Sequence, residues 1–207
     1  MGIVNSLRDA VGAPYTNVPT QMLEFAGGGA LGWGTLWGTL TGTLSAITLV
    51  SKDYGKIGGE LIGWYTKVAI PDWVPPKPAK SSLSPFPTSV SNSKLCHASI
   101  SQWFTKSGYN TSSPEFTERC GRLTAQVTKK AVELLNANAA SKFQASYVAP
   151  ASIQVCTNCH ATNQLGKQEC VVCHAPLGHH GVVFTMPMPM PTTAPVTTTV
   201  PVTTTNK

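Results

Sequence analysis

Two short runs near the C-terminal end constrain this chain more than anything else in it: Cys156-Thr157-Asn158-Cys159-His160 and Cys170-Val171-Val172-Cys173-His174. Each is a C-x-x-C-H, the attachment signature of a covalently bound c-type haem. The two thiolates add to the haem vinyl groups, and the histidine that follows turns its imidazole onto the iron as proximal ligand. Two such anchors between Cys156 and His174 fix two macrocycles side by side, close enough to exchange electrons. Whatever else the chain forms must pack around them.

The same cysteines read alternatively as C-x2-C-x10-C-x2-C, the spacing of a four-thiolate zinc ribbon. A zinc knuckle favours a small residue, often Gly, directly after its second cysteine, because the turn there is tight. Here both positions are histidine, His160 and His174. The histidine inventory also favours haem. The chain has 5 histidines, His97, His160, His174, His179 and His180. Two haems with a histidine on each face use all but one of them.

His160 and His174 are the expected proximal ligands. His97, far upstream on an expected short helix, is the candidate distal ligand of one haem. One of His179 and His180 is the candidate for the other. It lies too near His174 to cap the same haem, so it serves the second haem or a partner's. Methionine is the other common axial ligand, but Met186, Met188 and Met190 fall in a Pro-rich tail. Histidine on both faces implies a low potential and no open iron position for a substrate.

The 207 residues are 12% charged and 42% hydrophobic, with a formal charge of +6. The basic residues are scattered without a Lys/Arg run, which argues against a nucleic-acid surface. Haem propionates offset much of that charge. Outside the haem motifs stand Cys96 and Cys120, readable as a disulfide, as buried thiols, or as ligands of a further metal centre. Met1 to Gln21 lacks the basic start and apolar stretch of a signal peptide. Covalent haem attachment takes place outside the cytoplasm, so a periplasmic, extracellular or cell-surface location is expected, with a signal already removed. Met1 to Ser6 fits a short N-myristoylation pattern that conflicts with export.

The expected organisation is mostly α. Residues 1–150 form a small helical domain, 151–181 a dihaem-binding segment, and 182–207 an extended or disordered Thr/Pro-rich tail. Phe25 to Ser51 carries no charge. Gly34, Gly38 and Gly42 recur at four-residue steps, the spacing of one helical face open to close backbone approach. A buried soluble helix is expected there, with a membrane span as the alternative. A second helix is expected near residues 57–68. A Pro-rich linker over 71–94 should lie extended on the surface, and a short helix over 95–105 should display His97. The longest helix should run from about 114 to 138, capped by Ser112 or Ser113, with Pro114, Glu115 and Glu118 suiting its first turns. Trp33, Trp37, Trp64, Tyr65 and Trp103 read as core or haem-packing residues.

The order of these segments resembles a known family. Ala26 to Gly42, then Leu95-Cys96-His97, then Glu118-Arg119-Cys120, then the closing pair of C-x-x-C-H motifs are similar to the C_GCAxxG_C_C redox proteins, and within them to the split-Soret cytochromes c. The similarity covers roughly residues 20–180. It implies a mostly helical homodimer with two c-type haems per subunit. It also implies haems clustered near the dimer interface, an axial ligand from the partner subunit, and electron transfer to redox partner proteins. The chain departs from the family where Trp37 stands near the place of a family cysteine. Cys96 and Cys120 alone fall short of the thiolates an iron–sulfur cluster uses.

Three function classes follow. The first is an electron carrier, alone as a dimer or stacked into a haem-bearing filament through His179 or His180. The second is a haem reductase with an open iron position. The third is a zinc-ribbon interaction protein, built on the same four cysteines and linked to a membrane by the uncharged segment.

Overall fold

A computed structural model of the chain describes residues 2–153. In chain order it forms α1 (Gly2–Val11), a 3-10 turn (Tyr15–Asn17), a longer 3-10 run (Thr20–Ala26), α2 (Gly38–Val50) and α3 (Tyr54–Lys67). These are followed by the short strands β1 (Ala69–Ile70) and β2 (Ser89–Val90), α4 (Cys96–Ser107), α5 (Pro114–Ala139) and a final 3-10 turn (Ala151–Ile153). The protein is mostly helical. None of the described helices is long and apolar enough to cross a membrane.

The core is a three-helix unit of α2, α3 and α5, each packed on the other two. α5 supplies Leu123, Val127, Ala131 and Leu134, a run at four- and three-residue steps that falls on one face of a helix. α3 supplies Ile57, Leu61 and Tyr65 at four-residue steps, all fully buried, and α2 supplies Leu40 and Ile47. α2 is unusually rich in threonine for a buried helix. The hydroxyls of Thr43, Ser45 and Thr48 donate to the carbonyls of Thr39, Thr41 and Leu44 one turn back, at 2.8, 2.9 and 2.9 Å. Their polarity is thereby satisfied inside the helix itself.

The uncharged segment is not one helix from end to end. Residues 27–37 form a tight turn, and α2 begins only at Gly38. Gly34 has φ +71°, outside the helix, so it does not extend the small-residue face begun by Gly38 and Gly42. The four-residue spacing of the glycines is compatible with a helix. Their freedom at positive φ serves the turn instead.

The Pro-rich stretch after β1 is pinned to the core. Ala69 and Ile70 pair antiparallel with Val90 and Ser89. The carboxylate of Glu118, buried on α5, accepts the backbone N–H groups of Ala79 and Lys80 at 2.9 and 2.8 Å with one oxygen. Its other oxygen accepts the Nε of Arg122 at 2.9 Å. Arg122 in turn donates to the Ser81 carbonyl and lies 4.2 Å from the Phe86 ring centre. The Trp103 indole donates to the Pro87 carbonyl at 2.8 Å. Glu118, expected to act on the helix dipole, is thus a clamp on the linker. Beyond α5 the chain crosses α3, where Glu60 accepts the N–H groups of Ser146 and Tyr147 at 2.8 Å each.

Burial pushes the Glu118 carboxyl up. The Lys80 N–H, the Arg122 guanidinium and the Ala79 N–H outweigh that and hold it below the ordinary carboxylate value. Its ionised form is therefore favoured by folding. That contribution is complete above the unfolded carboxylate value of about 4.3 and is lost as pH falls through the folded one. Glu118→Gln leaves Arg122 buried without its counter-ion and should cost about 3–5 kcal/mol at neutral pH. Urea denaturation at pH 7 and at about pH 3 checks this: the gap between wild type and variant should narrow in acid. A gap equal at both pH values would rule out the carboxylate as its source. Leu123→Ala, at a position 1% exposed, should cost about 2–5 kcal/mol in the same measurement.

Candidate functional site

The turn between the 3-10 run and α2 is built from backbone hydrogen bonds. Leu31 N–H donates to the Phe25 carbonyl at 2.8 Å, Gly32 to Gly27 at 3.1 Å, Gly34 to Gly28 at 3.0 Å and Thr35 to Gly29 at 3.0 Å. Closing so tightly takes positive φ at six positions, Gly28 to Gly32 and Gly34. Glycine occupies four of them at no steric cost. Ala30 and Leu31 do not have that freedom, at φ 61° and 54°, and each costs about 1–2 kcal/mol. The surrounding bonds hold them there.

This turn caps α4. The first N–H groups of a helix have no partner within it. Here the carbonyls of Thr35 and Gly34 accept those of Cys96 and His97 at 2.7 and 3.2 Å. Leu36 and Leu95 form an isolated antiparallel bridge, and Trp37 N–H donates to the Lys94 carbonyl. The approach is so close that a Cβ on Gly34 would stand 2.8 Å from the Cβ of His97.

His97 is exposed at the start of α4. Its Nδ1 lies 2.9 Å from the Gly34 carbonyl oxygen. A carbonyl can only accept, so Nδ1 carries the proton and Nε2 of the neutral ring keeps its lone pair. That is the arrangement of a metal-ligating histidine, whose other nitrogen donates to a backbone carbonyl that fixes tautomer and orientation. The same turn presents Trp33 at 84% and Leu31 at 77% exposure. Trp37, Tyr65 and Trp103 are buried as core residues. Trp33 is not, so of its two readings, core and haem-packing, the core one is corrected. Nothing in its residue type distinguished it; the turn geometry does.

Cys96 and Cys120 are free thiols, which removes the disulfide reading. Both line a cavity of about 520 Å³ between α2, α4 and α5. The facing wall is made of Gly38, Thr39, Gly42 and Thr43 of α2. Burial pushes both thiols up, Cys120 adds to the effect on Cys96, and the nearby Arg119 guanidinium offsets part of it. Arg119 is itself buried, donates to the Ser99 carbonyl and Oγ at 3.1 and 2.6 Å, and lies 5.7 Å from the Trp37 ring centre. Among the described residues no three His, Cys, Asp or Glu side chains converge as metal ligands.

Of the candidate site residues, the structure describes His97. Cys156, Cys159, His160, Cys170, Cys173, His174, His179 and His180 lie outside the described residues. The Gly34 carbonyl, which orients His97, escaped the sequence reading because Gly34 fitted a helical stripe.

No family model matches the chain. It is 33% identical over 183 residues to the split-Soret cytochrome c of Desulfovibrio desulfuricans (strain ATCC 27774), a match covering 84% of this chain. The match spans 66% of that protein's length, just under two thirds. The solved structure of the split-Soret cytochrome c from the same strain, described as holding a novel iron centre, superposes with a TM-score of 0.73 at 32% identity. That superposition covers 84% of this chain and 77% of the other. Among the described residues the cavity offers two thiols, Cys96 and Cys120, short of the four ligands an iron–sulfur cluster takes. His97, with its tautomer fixed and Nε2 free, does fit an axial position on haem iron. In sequence and in fold, the chain belongs to the split-Soret cytochrome c family.

Proposed function

We propose that the protein is a dihaem c-type cytochrome that carries electrons without bond chemistry of its own. Cys156 and Cys159 with His160, and Cys170 and Cys173 with His174, would hold one haem each. His97 would be the distal ligand of one, and His179 or His180 that of the other. When bound, the haems supply reversible one-electron transfer. The chain's own residues ligate, bury and space them. The observation that carries this reading is the Nδ1 contact of His97 with the Gly34 carbonyl at 2.9 Å. That contact leaves Nε2 as the nitrogen a haem iron would take.

The same reading places the protein in the periplasm or at the cell surface, where c-type attachment occurs. It also makes a homodimer or a larger haem-bearing assembly its working form, with redox proteins as partners. The family membership supports this, and so does the scattered basic charge, which offers no nucleic-acid footprint. A histidine on both faces of each iron favours a carrier over a reductase, which needs an open position.

The purified full-length protein should show a haemochrome band and an intact mass raised by two haems. A colourless protein holding one zinc would overturn the reading. His97→Ala should convert one of the two haems from low-spin to a form that binds carbon monoxide when reduced, visible in the absorption spectrum. An unchanged spectrum would remove His97 from the ligand set. Gly34→Ala places a Cβ against His97 at a strained φ. It should produce a weaker version of the same spectral change, with about 1–3 kcal/mol lost in stability.

A further inference from the structure

Four large apolar side chains stand exposed within one stretch of the chain: Met22, Phe25, Leu31 and Trp33. Trp33 is the extreme case among them, at 84%. It is no frayed loop residue. The turn that carries it is closed by backbone bonds on both sides of it, Leu31 to Phe25 and Gly34 to Gly28. Two non-glycine residues directly before Gly32 are held at positive φ to make that turn. The residue after Trp33 is Gly34, whose carbonyl accepts both the backbone N–H and the Nδ1–H of His97. An aromatic side chain is therefore held in solvent by a strained, fully bonded turn, one residue from the group that orients an exposed imidazole.

Two occupants could cover such a surface. A stable protein partner buries about 800 Å² on each side. An indole buries about 150–250 Å², and on the turn itself the large apolar side chains exposed are Leu31 and Trp33. That area, on the turn that orients an imidazole, suits one flat aromatic macrocycle better than a second chain. The sequence provides such a group. The described chain ends at Ile153, 3% exposed on the body of the protein, and the first haem-anchoring cysteine, Cys156, follows three residues later.

We infer that Trp33, with Leu31 beside it, is the apolar wall against which the haem ligated by His97 lies. The turn thus delivers two contacts to one haem, an imidazole through Gly34 and an indole through Trp33. This rests on His97 being an iron ligand. Trp33 is a positioning residue: it excludes water from the His97 side of the haem and hinders exchange of that ligand.

Hydroxyl-radical footprinting read by mass spectrometry tests this on three full-length proteins. These are the wild-type holoprotein, His97→Ala, and a chain in which Cys156, Cys159, Cys170 and Cys173 are all serine and no haem attaches. Low oxidation of the buried Trp37 and Trp103 reports that each is folded. A side chain going from 84% exposed to buried loses about five-fold or more of its accessible area. Trp33 oxidation should slow by that factor in the holoprotein relative to the other two, at every protein concentration. As a second measurement, Trp33→Ala should let added cyanide displace the distal ligand several-fold faster, with Trp33→Phe restoring most of the protection.

Equal Trp33 oxidation in holoprotein and haem-free chain, with His97→Ala still changing the spectrum, overturns the inference and leaves the ligand role standing. Protection that persists in the haem-free chain and fades on dilution overturns it in favour of a second copy of the chain. A His97→Ala spectrum identical to wild type overturns both.

Discussion

The carbonyl oxygen of Gly34 accepts two hydrogen bonds from one residue, the main-chain N–H and the ring N–H of His97. Much of the described structure is arranged to put it there. The glycine-rich turn must close to aim that carbonyl outward, and α4 must start where its first N–H groups meet it. Leu36 and Leu95 must then pair so that α2 leaves the turn in the right direction. One acceptor caps a helix, fixes a tautomer and joins two segments 63 residues apart in sequence. Without it the imidazole would be an ordinary exposed side chain with two interchangeable nitrogens.

A second group of contacts keeps the helix that bears His97 in place. Arg119 on α5 donates to both the carbonyl and the hydroxyl of Ser99 on α4. The Tyr65 hydroxyl on α3 donates to the same Ser99 Oγ at 2.7 Å. Ser99 stands less than one turn beyond His97, so α4 is tied to α3 and α5 close to that residue. The guanidinium lies over the Trp37 and Trp103 rings at 5.7 and 5.9 Å, an apolar and π-rich setting for a buried cation. Precision at His97 comes from packed neighbours on regular helices, as functional sites require.

The sequence discloses these features unevenly. Leu123, Val127, Ala131 and Leu134 show α5 directly, because a buried helix face must repeat its apolar residues at helical steps. The expectation for His97 comes by a different route, the shortage of axial ligands near the C-x-x-C-H motifs. The start of α2 is hidden. Glycine satisfies a helical spacing and a left-handed turn equally well, and what selects the turn is a hydrogen bond to a residue far along the chain. Glu118 is misleading for a related reason. Near a helix start a carboxylate reads as a local dipole partner, whereas its bonds go to Ala79 and Lys80. Local patterns report local physics, and both exceptions are tertiary.

The threonine-rich α2 has an effect beyond allowing a polar helix to be buried. The hydroxyls of Thr43, Ser45 and Thr48 are turned back onto its own carbonyls, and it carries no charged residue from Gly38 to Val50. Where it borders the cavity it offers glycine, threonine and alanine, while the opposite side offers the sulfurs of Cys96 and Cys120 as the sole titratable lining groups. The Thr39 hydroxyl of α2 instead reaches across to that of Thr124 on α5 at 2.7 Å, so the rim of the cavity is tied from helix to helix without a single charge.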